Sequence, residues 1–192
     1  MFKLNIFILD EDPKKIAEYH CDKHIVKMIL ESAQMLSTTH WIKLLESKNK
    51  RQTDFKRMRE VKEWLKLNTE DSLHPPYAYT HPKHPCTVWT CSTLENYKWH
   101  VNLLYYMSKE YTNRYKRIHK TSHYIKWFLQ NKPIGLLSSI LEEFPICMDN
   151  KYKISNDPIE CYRNYYIEGK SHFAKWRYTK TPDWYLKGIE NK

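Results

Sequence analysis

Glycine is nearly absent from this sequence: three residues, at positions 135, 169 and 188, are all there are in 192. That excludes Gly-rich phosphate loops of the GxGxxG or P-loop kind, and equally a glycine-turned helix-hairpin-helix. Long apolar runs are missing as well, and nothing approaches the roughly 20 consecutive residues that span a membrane. The opening "MFKLNIFILDEDP" meets acids directly after its short apolar run and has no small-residue cleavage site, so a secretory signal is not expected. Cysteine is present but unpatterned. The five residues at 21, 86, 91, 147 and 161 are odd in number and lack CxxC spacing. They read as reduced thiols in a cytoplasmic protein, mostly packing groups, rather than a disulfide frame or a zinc site.

What the chain has is positive charge and aromatic rings. The formal charge is +10, 41% of residues are hydrophobic and 15% are aromatic. That composition buries one sizeable core, so a single domain over residues 1–192 is expected. The basic balance favours a polyanion as partner, nucleic acid being the commonest.

Along the chain the pattern predicts a mostly α, single compact helical domain, with Leu4–Leu9 alternating loosely enough for one short N-terminal strand. Asp12 and Pro13 are cap and first residue of a helix. Asp22 to Leu45 has no breaker and reads as one long helix. A charged helix is expected from Thr53 to Leu67, a second long one from Thr87 to Tyr115, and others over Thr121–Asn131 and Pro158–Lys175, the last capped by Asp157. "HPPYAYTHPKHP" is a loop, because each proline removes a donor and restrains its predecessor. The aromatic tail "TKTPDWYLKGIENK" is expected to pack onto the body.

The segment "HCDKHIVKMILESAQMLSTTH", His20 to His40, holds the main candidate site. At about 100° per residue, Lys23, Gln34, Lys27, Thr38, His20, Glu31 and His24 fall on one stripe roughly 100° wide. The remaining girth is Ile25, Val26, Met28, Ile29, Leu30, Ala33, Met35 and Leu36 with two serines, so the helix is mostly buried. Its polar stripe must then line a cleft or meet polar partners, since unpaired buried charge is costly. The plainer reading is a solvated stripe with a Lys27–Glu31 pair worth about 0.2–0.5 kcal/mol. A carboxylate beside primary amines suits attack of an amine on an anomeric carbon. Lys23 and Lys27, one turn apart beside His24, disfavour each other's charge, while Glu31 opposes that effect.

A second constellation, Ser92, Asn96, His100, Glu110 and Arg114, shares one face if the helix through "CSTLENYKWHVNLLYYMSKEYTNRY" is continuous. Arg114, Lys116, Arg117, His119 and Lys120 form a basic cluster interleaved with Tyr111 and Tyr115, a mixture suited to phosphate contact and base stacking. Cations at a helix C-terminus are also favoured by its dipole alone. His81 and His84 are close in sequence, but nothing completes a ligand set of about four, so no metal and no cofactor are expected.

"DKHIVKMILESAQML" resembles the "DKR-x-x-K-x-x-x-E-x-x-Q-x-L" stretch of bacterial and phage proteins grouped with the pyrimidine-dimer DNA glycosylases. The later "HPCTVWTCSTLENYKWHVNLLYYMSKEYTNRY" is similar to the family's "HP-x-x-x-x-W" segment and the helix after it. The matching residues are Asp22, Lys23, His24, Lys27, Glu31, Gln34, His84, Pro85, Trp89, Glu110, Thr112 and Arg114, in blocks covering about a quarter of the chain. The resemblance implies a metal-free helical enzyme that excises a damaged or modified pyrimidine from duplex DNA, flips a nucleotide, and nicks the backbone by β-elimination from a Schiff base. It implies an N-terminal amine and one glutamate as catalysts. Here bulky Phe2 leaves Met1 in place, so Lys23 or Lys27 becomes the substitute amine, with Glu31 as first-choice carboxylate and Asp22 second. His20, Gln34, His84, Trp89, Asn96 and the Arg114–Lys120 cluster are the expected DNA contacts. The alternatives are a non-catalytic nucleic-acid-binding protein and a metal-dependent nuclease or nucleotide-processing enzyme. A Lys-, Asn-, Ile- and Tyr-heavy composition, with the resemblance, points to a viral source, and a cytoplasmic monomer is expected.

Overall fold

The computed structural model describes residues 4–192 and is mostly helical. Its helices are α1 (Pro13–Tyr19), α2 (Asp22–Ser47), α3 (Met58–Asn68), α4 (Pro85–Ser92), α5 (Leu94–Tyr115), α6 (Ile125–Gln130), α7 (Pro158–Gly169) and α8 (Asp183–Glu190). The expected caps are present: Asp12 accepts from the Lys14 N–H and Asp157 from the Ile159 N–H, each just before a proline at the first helical position. No helix among the described residues is long and apolar enough to cross a membrane.

The optional strand at Leu4–Leu9 does not form. Residues 4 to 9 are buried without alternation, and no strand is present among the described residues to pair with them. The Asn5 carboxamide instead anchors this stretch, its N–H donating to the Cys147 carbonyl at 2.9 Å. Three expected helices differ in extent. The charged segment begins with a short turn at Gln52–Asp54 before α3. The segment from Thr121 begins with a tight turn over Lys120–Tyr124. The helix from Pro158 stops at Gly169 rather than at Lys175, and α8 lies in the tail, where Tyr185 is buried.

The long helix expected from Thr87 to Tyr115 is two helices. Thr93 takes an extended backbone, and its hydroxyl accepts from the Asn96 N–H at 3.0 Å, capping α5. No proline or glycine announces this break. At the break the Leu94 N–H donates to the Leu137 carbonyl at 2.9 Å and the Thr93 hydroxyl to the Ile140 carbonyl at 3.3 Å, so a distant segment takes the bonds a continuous helix would have made. Ser92 therefore sits on α4, outside the face that Asn96, His100, Glu110 and Arg114 occupy.

α5 is the central element and packs against α1, α2, α4 and α6. The main core surrounds α2 and α5, and a smaller cluster of Trp41, Leu44, Leu45, Val61, Leu65 and Tyr79 fills the space between the end of α2 and α3.

Of the four histidines buried among the described residues, His100, His40 and His20 are sealed in this core as neutral rings. His100 Nδ1 donates to the Thr90 hydroxyl, whose own proton goes to the Cys86 carbonyl. His40 Nε2 meets the Tyr97 hydroxyl at 2.9 Å. His20 Nδ1 donates to the Ile16 carbonyl at 2.7 Å. Burial lowers their pKa values to about 3, about 3 and about 4. Each lies below the unfolded value of 6.5, so each contributes stability above pH 6.5 that is lost as pH falls toward its folded pKa. The loss is on the order of 3–5 kcal/mol per residue if the fold survives that far. Circular dichroism against pH should show cooperative acid unfolding that begins below pH 6.5. Replacing His100 with Asn should move the midpoint to lower pH, and an unchanged midpoint would refute the assignment.

Candidate active site and basic face

α2 is mostly buried, as its composition implies, but its polar stripe divides. Lys23, Lys27 and Gln34 reach the surface beside Val26 and Leu30, which are 41% and 39% exposed. His24, Glu31 and Thr38 lie on the buried side. The division follows from how α2 is seated. Its exposed line runs through Val26, Leu30 and Lys23, so the members of the stripe farther round turn inward.

Glu31 is the chemically distinctive residue on this helix. It is 6% exposed, and one carboxylate oxygen meets the Lys27 ammonium at 2.8 Å. The other oxygen has no partner among the described residues. Burial raises the Glu31 pKa, while the Lys27 ammonium, the Asn5 backbone N–H and the charge of His81 act against that shift. The loop carrying His81 is pinned to α2. Thr38 donates to the Thr80 carbonyl at 2.9 Å, Tyr77 N–H donates to the Ser37 hydroxyl, and Trp41 Nε1 donates to the Tyr77 carbonyl. His81 itself holds a φ of +47° and is exposed, its ring 2.7 Å from the Thr80 hydroxyl. A non-glycine residue in that region is strained by about 1–3 kcal/mol, and such strain concentrates at working sites.

The other expected catalytic residues, His24, Asp22 and Lys23, and the expected DNA contact His20 have different surroundings. His24 stacks on Phe7 at 4.4 Å and is hydrogen-bonded to the Tyr166 hydroxyl, and burial lowers its pKa well below the usual value. His20 lies in the α1–α2 corner, beyond the start of α2, so neither histidine joins Lys27 and Glu31 at the surface. Asp22 is bound on both oxygens, to Arg114 Nη1 at 3.2 Å and to the Arg177 N–H at 2.8 Å. Lys23 lies over the Phe173 ring, 5.1 Å from its centre.

Several expected DNA contacts are interior. The Arg114 side chain is 1% exposed, and its guanidinium holds Glu110 at 2.6 Å, Asp22, and the carbonyls of His20 and Glu18. It ties the α1–α2 corner to α5, bringing together the Asp22 and Glu110–Arg114 blocks that lie far apart in sequence. Asn96 is fully buried, exchanges hydrogen bonds with Glu142 and donates to the Trp89 carbonyl. Trp89 packs on Trp99 and Phe144. His84 caps α4 by accepting from the Cys86 N–H. His119 is half-buried and caps the following turn.

Lys116, Arg117 and Lys120 are exposed as expected, and they continue a face that sequence reasoning missed. A pocket of about 380 Å³ lies between the start of α2, the end of α5 and the segment after α7. Its walls include Lys23, Tyr115, Phe173, Lys175, Arg177 and Tyr178. Rings run from it in a row: Tyr178 to Tyr115 at 5.0 Å, Tyr115 to Tyr111 at 4.8 Å, and Tyr111 to His119 at 5.0 Å. The signal was the alternation in "FAKWRY", where Ala174 and Trp176 turn in while Lys175, Arg177 and Tyr178 turn out. Extending the α7 reading to Lys175 concealed it. Among the described residues no group of three or more His, Cys, Asp or Glu is placed to hold a metal ion.

The chain is thus a mostly helical, basic protein whose longest helix carries a buried carboxylate paired with a surface lysine, beside a cationic aromatic face. No family model, no curated protein and no solved structure matches it.

Proposed function

We propose that this protein is a base-excision enzyme, an N-glycosylase and/or AP lyase acting on a damaged or modified pyrimidine in DNA. The observation that carries the reading is Glu31, a carboxylate kept in the core beside the Asn5 backbone N–H, with one oxygen 2.8 Å from the Lys27 amine and the other without a hydrogen-bond partner within range among the described residues. A buried acid next to an amine is costly to keep for structure alone, and it is suited to moving that amine's proton. In this scheme the carboxylate accepts a proton from the ammonium, and the neutral amine attacks the sugar C1′. The glycosidic bond breaks, and its electron pair leaves with the base, which takes up a proton. The C1′–O4′ bond then breaks, its electron pair going to O4′, which takes up a proton, and the amine and C1′ are left as a protonated Schiff base; removal of a 2′ proton follows, and the 3′-phosphate is expelled. Lys27 is the first candidate amine and Lys23 the second. Met1 lies outside the described residues. The Tyr111–Tyr115–Tyr178 row and its cations provide stacking and phosphate contacts for a distorted duplex carrying a flipped nucleotide. DNA as partner, a monomer as working unit and a cytoplasmic site of action belong to the same proposal.

The deciding experiment is borohydride trapping, with EDTA present, on duplexes carrying an abasic site or a thymine dimer. An adduct formed by wild type and lost in Lys27→Ala or Lys23→Ala supports the reading and names the nucleophile. An adduct surviving both supports it with another amine. Cleavage abolished by EDTA would favour a metal-dependent nuclease, and DNA binding with neither adduct nor nicking would leave a binding protein.

The basic face makes its own prediction. Arg177→Ala and Lys175→Ala should each reduce the slope of log affinity against log salt by about 1. Tyr178→Ala should cost about 1–3 kcal/mol of binding on a distorted duplex while leaving the salt slope unchanged. Fluorescence anisotropy across a salt series checks both, and wild-type behaviour of all three variants would move the interface elsewhere.

A further inference from the structure

The opening segment, the start of α4 and the segment before α7 meet at two thiols. Cys86, the second residue of α4, is fully buried, and its Sγ lies 3.5 Å from that of Cys147. Sixty-one positions separate them in the chain. The same Cys86 thiol lies 3.5 Å from the Asn5 side-chain oxygen. That oxygen accepts from the Tyr162 hydroxyl at 2.9 Å, and the Cys147 N–H donates to the same hydroxyl at 3.1 Å. Cys147 is half-buried, so a small oxidant reaches it while Cys86 stays behind it.

We infer that Cys86 and Cys147 form an oxidisable dithiol, a modification site that peroxide closes to a disulfide linking α4 to the segment before α7. The sulfurs need to approach by roughly 1.5 Å to reach the bond length of about 2.05 Å, a movement within reach of side-chain rotation. The environments divide the roles. The Cys86 thiol, with Tyr162 and the charge of Lys153, lowers the pKa of Cys147, whereas burial keeps Cys86 protonated. The Cys147 thiolate attacks one peroxide oxygen, giving a sulfenic acid and releasing hydroxide. Cys86 sulfur then attacks the Cys147 sulfur and loses its proton, and the sulfenic oxygen leaves as water. In total two thiols lose two electrons and one peroxide becomes two waters.

The remaining cysteines serve as internal controls. Cys91 is held as a thiol with its pKa pushed up to about 11, burial also raises that of Cys21, and Cys161 donates to the Ser155 carbonyl.

The test uses the full chain, reduced, exposed to hydrogen peroxide, alkylated with iodoacetamide under denaturing conditions and digested without reductant. A peptide joining Cys86 to Cys147, released by dithiothreitol, is expected, with Cys21, Cys91 and Cys161 alkylated. Cys147→Ala, a change at the half-exposed position, should abolish peroxide-dependent thiol loss. Cys86→Ala should leave a Cys147 sulfenic acid that dimedone traps. Five alkylated cysteines after peroxide, a link from Cys147 to any other cysteine, or over-oxidised Cys147 with Cys86 still free would each overturn the inference. None of these readouts depends on activity toward DNA.

Discussion

Glu31→Gln should slow strand cleavage by orders of magnitude and at the same time make the protein more stable at neutral pH. The substitution keeps the shape and removes the charge, so it separates chemistry from packing. If Glu31 moves the proton of the attacking amine, cleavage of an abasic duplex should fall by about 10²–10⁴-fold, the usual contribution of a positioned acid or base. The stability effect follows from the direction of the pKa shift. Burial raises the Glu31 pKa above its ordinary 4.5, so the folded state holds the proton more tightly than the unfolded state does. The site's contribution is most favourable below about 4.5 and is lost as pH rises through the folded pKa. At pH 7 the wild type therefore carries a cost that glutamine lacks, whereas the two proteins should converge in acid. Melting curves of both at pH 7 and pH 4, with cleavage rates, test the pair of claims. Cleavage within a few-fold of wild type would remove Glu31 from the mechanism. A variant that is less stable at pH 7 would mean that the Lys27 pair outweighs the burial cost.

Arg114→Met should be the most destabilising single change at a polar position. The guanidinium is the only described partner that neutralises Glu110, a 9% exposed carboxylate, and it also holds Asp22 and two carbonyls from the α1–α2 corner. Removing one member of such a buried pair costs about 3–5 kcal/mol because the other charge is left behind. That corresponds to a fall in melting temperature on the order of 10 °C for a chain of this size. Arg114→Lys should recover little, since an ammonium cannot reproduce a fork that binds four acceptors. Adding Glu110→Met to Arg114→Met should recover much of the loss. If Arg114 were instead a phosphate contact, its replacement would leave melting unchanged and weaken DNA binding. Melting and anisotropy on the same variants distinguish the two roles.

These two residues illustrate how much of the site was legible in the sequence. The helical spacing of Lys27 and Glu31 brings them together whatever the surroundings, because residues four apart on a helix are neighbours. Their pairing was therefore readable. The spacing could not assign the facing of the stripe, since that depends on what covers α2. Phe7, Phe173 and Tyr166 cover the His24 side, while Val26 and Leu30 are left open. Arg114 misled for a related reason: in a run of cations it reads as one more surface charge, and three of its four acceptors come from Glu18, His20 and Asp22, more than ninety positions away. The row of rings from Tyr111 through Tyr115 to Tyr178 was half-readable. The first two are helical neighbours, but the third arrives from the far end of the chain.

By itself the sequence determined the helical class, the capped starts at Asp12 and Asp157, the proline-bound loop and the basic character, because each depends on local backbone chemistry or on a sum over composition. The tertiary structure alone decided three things. The long helix breaks at Thr93, where the 137–142 segment takes the Leu94 N–H, the Thr93 hydroxyl and the Asn96 side chain as partners. Six of the expected contact residues turn into the core or serve as caps. Cys86 and Cys147 face each other across the junction of α4 with the segment before α7. Each of these depends on contacts between segments distant in the chain, and such contacts are fixed by which surfaces bury one another, a property that no local window of residues contains.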